Sequence, residues 1–145
     1  MRLVTYQKNG QHVGLLLGEE KKIIPVAEAE RMLLKTSLIP DTMQGIIDGG
    51  EPVFSLLQEL AARYARSSCR TMSIGSVKLL APITRPNKNI FCVGINYRDH
   101  LNEVEGVLNQ PEIPQFPVFF SKASTSVIGP QAPVKRHADT VSQLD

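Results

Sequence analysis

Residues 89–104 read Asn-Ile-Phe-Cys-Val-Gly-Ile-Asn-Tyr-Arg-Asp-His-Leu-Asn-Glu-Val. Ile90 to Val93 form a compact apolar run that Gly94 ends, the pattern of a buried strand closed by a turn. Asn96 can then accept the first free amide of a helix, with Asp99 three residues on, close to a capping box. On a helix beginning at Tyr97, positions 97, 100 and 103 share a face, because residues three apart are neighbours on the helix surface. Tyr97, His100 and Glu103 therefore project together from a strand end. A carboxylate beside an imidazole orients the ring and favours a basic nitrogen, the pairing needed to take a proton from water or a carbon acid. At this spacing alone, a His and a Glu are more often a weak surface pair.

A second segment, residues 117–133, reads Pro-Val-Phe-Phe-Ser-Lys-Ala-Ser-Thr-Ser-Val-Ile-Gly-Pro-Gln-Ala-Pro. A strand from Val118 to Phe120 delivers Lys122 among the hydroxyls of Ser121, Ser124, Thr125 and Ser126. A lysine so placed holds a carboxylate or phosphate as a point charge, or else is a solvated loop residue. The glycines are too sparse for a phosphate loop, and neither a dinucleotide fingerprint nor a Walker pattern is present. His12 and His137 lack metal-ligand spacing to another His or Cys and read as surface residues. Cys92 reads as a buried thiol. Cys69 lies in a polar stretch with only Arg70 nearby to activate it.

The earlier part of the chain reads as hairpin and helix. Arg2–Gln7 and His12–Leu17 flank Lys8-Asn9-Gly10-Gln11, and Asn-Gly strongly favours a tight turn. Lys22–Val26 is a third short strand, and residues 27–35 are weakly helical. Asp41 is placed to cap a short helix that reaches Asp48 and ends at Gly49-Gly50. The clearest helix runs from about Pro52 to Arg66, where Val53, Leu56, Leu57, Leu60, Ala61 and Tyr64 make one apolar face. Ser67–Ser76 reads as a polar linker, Val77–Leu80 as a short strand and Ile83–Asn89 as a loop. Seven of the ten prolines follow residue 78, so the later part should be extended segments joined by loops. These signals give an α+β chain in two domains, residues 1–76 and 77–145.

Composition bounds the function class. With 16 Lys+Arg against 14 Asp+Glu, the net charge of +2 is too even to suggest nucleic acid as a partner. No run approaches the ~18 apolar residues of a membrane helix, and the first residues lack a secretory pattern. Two cysteines are too few for a disulfide framework. The expectation is a cytoplasmic protein with neither nucleic acid nor membrane as partner.

Taken together, the two segments resemble the fumarylacetoacetate hydrolase family. The first is similar to that family's V-G-x-N-Y-x-x-H-x-x-E signature, here Val93 to Glu103. The second is similar to its P-x-x-F-x-K-x-x-x-S-x-x-G-P stretch, here Pro117, Phe120, Lys122, Ser126, Gly129 and Pro130. Ser142-Gln143-Leu144-Asp145 resembles the start of its S-x-x-L-D-Y-E-x-E-L segment. Residues 1–78 more loosely resemble the small domain that precedes the catalytic domain in many bacterial members. The resemblance implies that residues 77–145 begin a mainly-β catalytic domain. It makes His100 the base and Glu103 its partner, with Tyr97 and Lys122 binding substrate. It also implies small carboxylate substrates: 2,4-diketo acids, oxaloacetate or ring-cleavage products of aromatic degradation. The reactions are C–C bond hydrolysis, decarboxylation or isomerisation, usually with Mg²⁺ or Mn²⁺, in a full-length homodimer.

These reactions share one need. Charge develops on an enolate oxygen beside a carboxylate, and a divalent cation chelates both. In the family the metal-binding glutamates directly follow the Leu-Asp pair, which here is Leu144-Asp145. The sequence reading therefore expects the base without its metal ligands. It leaves three functions open: the N-terminal part of a metal-dependent enzyme, a catalytically inactive truncated product, or a small binding domain whose His-Glu pair is surface decoration.

Overall fold

The computed structural model describes residues 1–17, 21–67, 69–94, 96, 97 and 116–135. They form two compact units, one of Met1–Thr84 with the segment from Ile128, the other of Arg85–Val127. Helix and strand are mixed, as expected of an α+β chain.

In the first unit, β1 (Leu3–Gln7) and β2 (Gln11–Leu17) make the expected hairpin, with Leu3 opposite Leu15 and Gln7 opposite Gln11. Asn9 (φ 54°) and Gly10 (φ 144°) turn the chain through the left-handed region, which asparagine and glycine tolerate best. β3 (Lys22–Pro25) pairs antiparallel with β2, and its end runs into α1 (Val26–Leu33). The sheet continues at both edges. β4 (Met72–Ser73) joins β3, and β5 (Lys78–Leu79) joins β1, giving the order β4-β3-β2-β1-β5.

β4 corrects the expectation of a linker over residues 67–76. Two residues pair with β3, and Ile74–Ser76 then form a 3₁₀ turn. So short a strand has no periodicity to read. Thr5, 1% exposed, fastens the sheet to the segment after β5 by donating its hydroxyl to the Pro82 carbonyl at 2.6 Å.

The helices α2 (Met43–Asp48) and α3 (Gly50–Tyr64) follow one another almost without a break. Asp41 is not the cap of α2, as the sequence suggested. Thr42 is, its hydroxyl accepting the Gly45 amide at 3.1 Å. The carboxylate one residue earlier is committed to the β2 strand instead. On α3, Val53, Leu57 and Leu60 are buried and Leu56, Ala61 and Tyr64 partly so, as its periodicity predicts. They close a core with Val13 and Leu15 of β2, Ile24 of β3, Val26 and Ala29 of α1, and Met43 and Ile46 of α2.

In the second unit, β6 (Ile90–Gly94) and β7 (Val118–Lys122) pair antiparallel as a separate two-stranded ribbon. Both strands form where the apolar runs place them. The burial expected of β6 does not follow, and β7 is exposed as well. Phe91 is 78% and Phe119 67% exposed, and Cys92 is only half-buried.

Candidate functional site

Of the four residues expected at the site, Lys122 lies on the ribbon. The ribbon's register sets Ile90 opposite Lys122, Cys92 opposite Phe120, and Gly94 opposite Val118. Directly opposed residues lie on the same face, and successive residues along a strand on opposite faces. Ile90, Cys92, Phe120 and Lys122 therefore share one face, and Phe91, Val93, Phe119 and Ser121 the other. The Lys122 ammonium lies 5.9 Å from the centre of the Phe120 ring on that shared face, within cation–π range. Lys122 itself is exposed.

Tyr97 is also exposed and follows the Gly94 end of β6. Lys122 stands opposite Ile90, at the other end of the ribbon. The ladder pairs Lys122 with the first residue of β6, and Tyr97 follows three residues after the last, beyond the paired segment. His100 and Glu103, the expected base and its partner, lie outside the described residues. So does the helix that would carry them.

Beyond Lys122 the hydroxyl cluster is ordered by its own backbone. Residues Ser124–Ser126 form a 3₁₀ turn, and the Ser126 hydroxyl donates to the Ala123 carbonyl at 2.7 Å. Ser126 is thereby occupied within its own turn. Among the described residues, no group of three or more His, Cys, Asp or Glu side chains could hold a metal ion. No helix among them is long and apolar enough to cross a membrane.

A second polar cluster sits in the first unit, with little local signal to announce it. His12, read as a surface residue, is an element of it. Its Nδ1 lies 2.7 Å from Asp41 Oδ2, and its Nε2 lies 3.1 Å from the Lys8 carbonyl. The other Asp41 oxygen accepts the Val13 amide at 2.9 Å. The His12 ring also lies against Tyr6, with ring centres 5.6 Å apart. Burial, then the carboxylates of Asp41 and Glu28, push the Tyr6 hydroxyl above its ordinary value. The residues come from β1, β2, α1 and the chain before α2. The available signal was a histidine opposite a tyrosine in the hairpin register; the asparagine-glycine turn supplies that register, but nothing local brings Asp41 to it.

The ribbon lies within a segment that matches a known family. Residues 89–145 match the family described as Fumarylacetoacetate (FAA) hydrolase C-terminal. The oxaloacetate tautomerase YisK of Bacillus subtilis (strain 168) is 36% identical over 141 residues, covering 94% of this chain and 46% of that protein. The mitochondrial oxaloacetate tautomerase FAHD2A of Bos taurus is 34% identical over 133 residues, covering 90% of this chain and 37% of that protein. The human mitochondrial FAHD2A gives the same identity and coverage. The chain spans less than half the length of these curated relatives.

Proposed function

We propose that this chain, whose residues 89–145 belong to the fumarylacetoacetate hydrolase family, is the N-terminal part of a metal-dependent enzyme acting on 2-oxo acids. Within that reading the reaction is isomerisation, the keto–enol interconversion of oxaloacetate or a close 2-oxo dicarboxylate. One observation carries it. The similarity to oxaloacetate tautomerases runs over 94% of this chain in the bacterial case, so it takes in the small first unit as well as the family segment.

Tautomerisation asks little of an active site beyond proton transfer. A base removes a proton from the carbon next to the ketone, and the electron pair moves to the carbonyl oxygen. The proton is then returned to that oxygen. His100 is the base in this reading, and Glu103 orients its ring and stabilises the imidazolium. Lys122 and Tyr97 hold the substrate carboxylates, one by charge and the other by its hydroxyl. A divalent ion, when bound, would polarise the ketone and stabilise the enolate charge. The described residues offer it no ligand set. The full protein acts as a homodimer on a small carboxylate.

The test is oxaloacetate enol-to-keto conversion, followed by the ultraviolet absorbance of the enol. It uses the protein that carries this chain with its natural flanks, with Mg²⁺ or Mn²⁺ present. His100→Ala should lower the rate by roughly 10²–10⁴-fold, the usual contribution of a positioned base. Glu103→Gln should lower it less. An unchanged rate in His100→Ala would remove the base from this reading.

A further inference from the structure

The first unit carries a cavity that the proposed chemistry does not use. Its volume is about 330 Å³, and it is lined by residues of the β1–β2 hairpin, α1, Asp41 and Met72. Tyr6 lines it and is 3% exposed, yet its hydroxyl makes no hydrogen bond with a described residue. No side-chain oxygen or nitrogen among the described residues is both sealed from solvent and without a partner. The Tyr6 hydroxyl therefore opens onto the cavity. Burying such a group is costly unless something accepts its proton.

The other polar side chains divide into committed and free. Asp41 spends both oxygens on the Val13 amide and the His12 ring. Among the described residues, the Lys8 ammonium meets the Met72 sulfur alone, at 3.2 Å, a weak acceptor. Arg31, exposed on α1, hydrogen-bonds to no described residue, and neither does the Glu28 carboxylate. Tyr6, Lys8 and Arg31 thus leave strong donors facing the cavity, with Glu28 the charged acceptor opposing them. A guanidinium offers two parallel N–H groups that match a carboxylate. The neutral Tyr6 hydroxyl, held above its ordinary pKa, remains a donor at neutral pH.

We propose that this cavity is a binding site for a small carboxylate, held by Arg31 and Lys8 and receiving a hydrogen bond from Tyr6. Two sources share that chemistry. An α-amino acid would also place its ammonium on Glu28. A dicarboxylate would be of the class that the relatives' names attach to their reaction, and would leave Glu28 unsatisfied. The site is independent of His100 and Glu103, so a failed turnover assay does not bear on it.

The 145-residue chain is titrated with L-aspartate and, separately, with malonate, by isothermal calorimetry and amide chemical-shift changes up to about 20 mM, a range that reaches millimolar affinity. Saturable shifts at Tyr6, Lys8 and Arg31 are expected with at least one probe. Arg31→Gln and Tyr6→Phe should each weaken binding about tenfold, the loss of one charge-assisted or buried hydrogen bond. Preference for L-aspartate, lost in Glu28→Gln, identifies the amino-acid source; preference for malonate identifies the dicarboxylate. Saturation with neither probe overturns the proposal. So does binding that Arg31→Gln leaves unchanged, a substitution at an exposed position that leaves the fold intact.

Discussion

The Glu30 carboxylate accepts the Leu38 amide at 2.6 Å, although Glu30 itself is 1% exposed. The same group accepts the Thr36 hydroxyl at 2.8 Å and the Ile39 amide at 3.2 Å. One side chain at the end of α1 thus satisfies the backbone of the segment that leads to α2. Among the described residues no cation pairs with it, so the donors alone compensate its burial. Glu30→Gln keeps the shape but turns an amide N–H₂ toward groups that are themselves donors. It should cost about 2–3 kcal/mol, the range for a charged hydrogen bond lost in a buried site. Urea unfolding of the two proteins checks this. A difference below about 0.5 kcal/mol would show that the segment finds other partners.

Gly14 on β2 fills a different kind of demand. A Cβ there would lie 2.3 Å from Ile23 Cγ2 and 3.3 Å from Tyr6 Cε1. The first contact is too close for any real side chain, and Ile23 is fully buried with little room to retreat. Gly14→Ala should therefore destabilise the first unit by about 1–3 kcal/mol, the usual cost of overpacking. Combining it with Ile23→Ala should cost less than the sum of the two single changes, because the second removes the atom that the first collides with. Strict additivity would place the strain elsewhere.

The hairpin and α3 were legible because their signals are local. Asn9-Gly10 dictates a turn, and Val53, Leu57 and Leu60 repeat at helical spacing. Glu30 and Asp41 were not, because their partners are set by the path of the irregular chain before α2. β4 is two residues long and owes its existence to an open edge of β3. For the candidate site, the apolar runs placed the strand that carries Lys122 and the strand that precedes Tyr97. Which residue of β6 stands opposite Lys122 depends on the β6–β7 register, which neither apolar run specifies.

Tyr6 gives the fold an alkaline limit. Its pKa in the folded chain lies above the ordinary 10.0, through burial first and then through Asp41 and Glu28. Well below pH 10.0 the hydroxyl is protonated whether the chain is folded or not, and the favourable term is fully present. As pH rises further, the unfolded chain loses its proton first, so stability falls until the folded pKa is passed. Urea midpoints for the parent and Tyr6→Phe, measured between about pH 8.5 and 11.5, should diverge only in the upper part of that window, with the parent falling more steeply. Glu28→Gln should reduce the slope. Parallel profiles would mean that Tyr6 ionises equally in both states.

The β6–β7 ribbon has apolar side chains on both faces, with Phe91 78% and Phe119 67% exposed on one and Phe120 46% on the other. A two-stranded ribbon is marginal by itself in water. Exposed apolar faces and unpaired edges of this kind invite pairing with another chain. In the 145-residue chain, Phe91→Thr keeps a residue that suits a strand while removing a ring that contacts little. It should change unfolding free energy by no more than about 0.5 kcal/mol, as for other exposed positions. Self-association should weaken. Analytical ultracentrifugation across a concentration series should show a smaller average mass for Phe91→Thr than for the parent, and hydrophobic dye binding should fall in step. An unchanged mass profile together with a stability loss above about 2 kcal/mol would show that Phe91 is a packing residue, and that the exposed face of β6 is already covered.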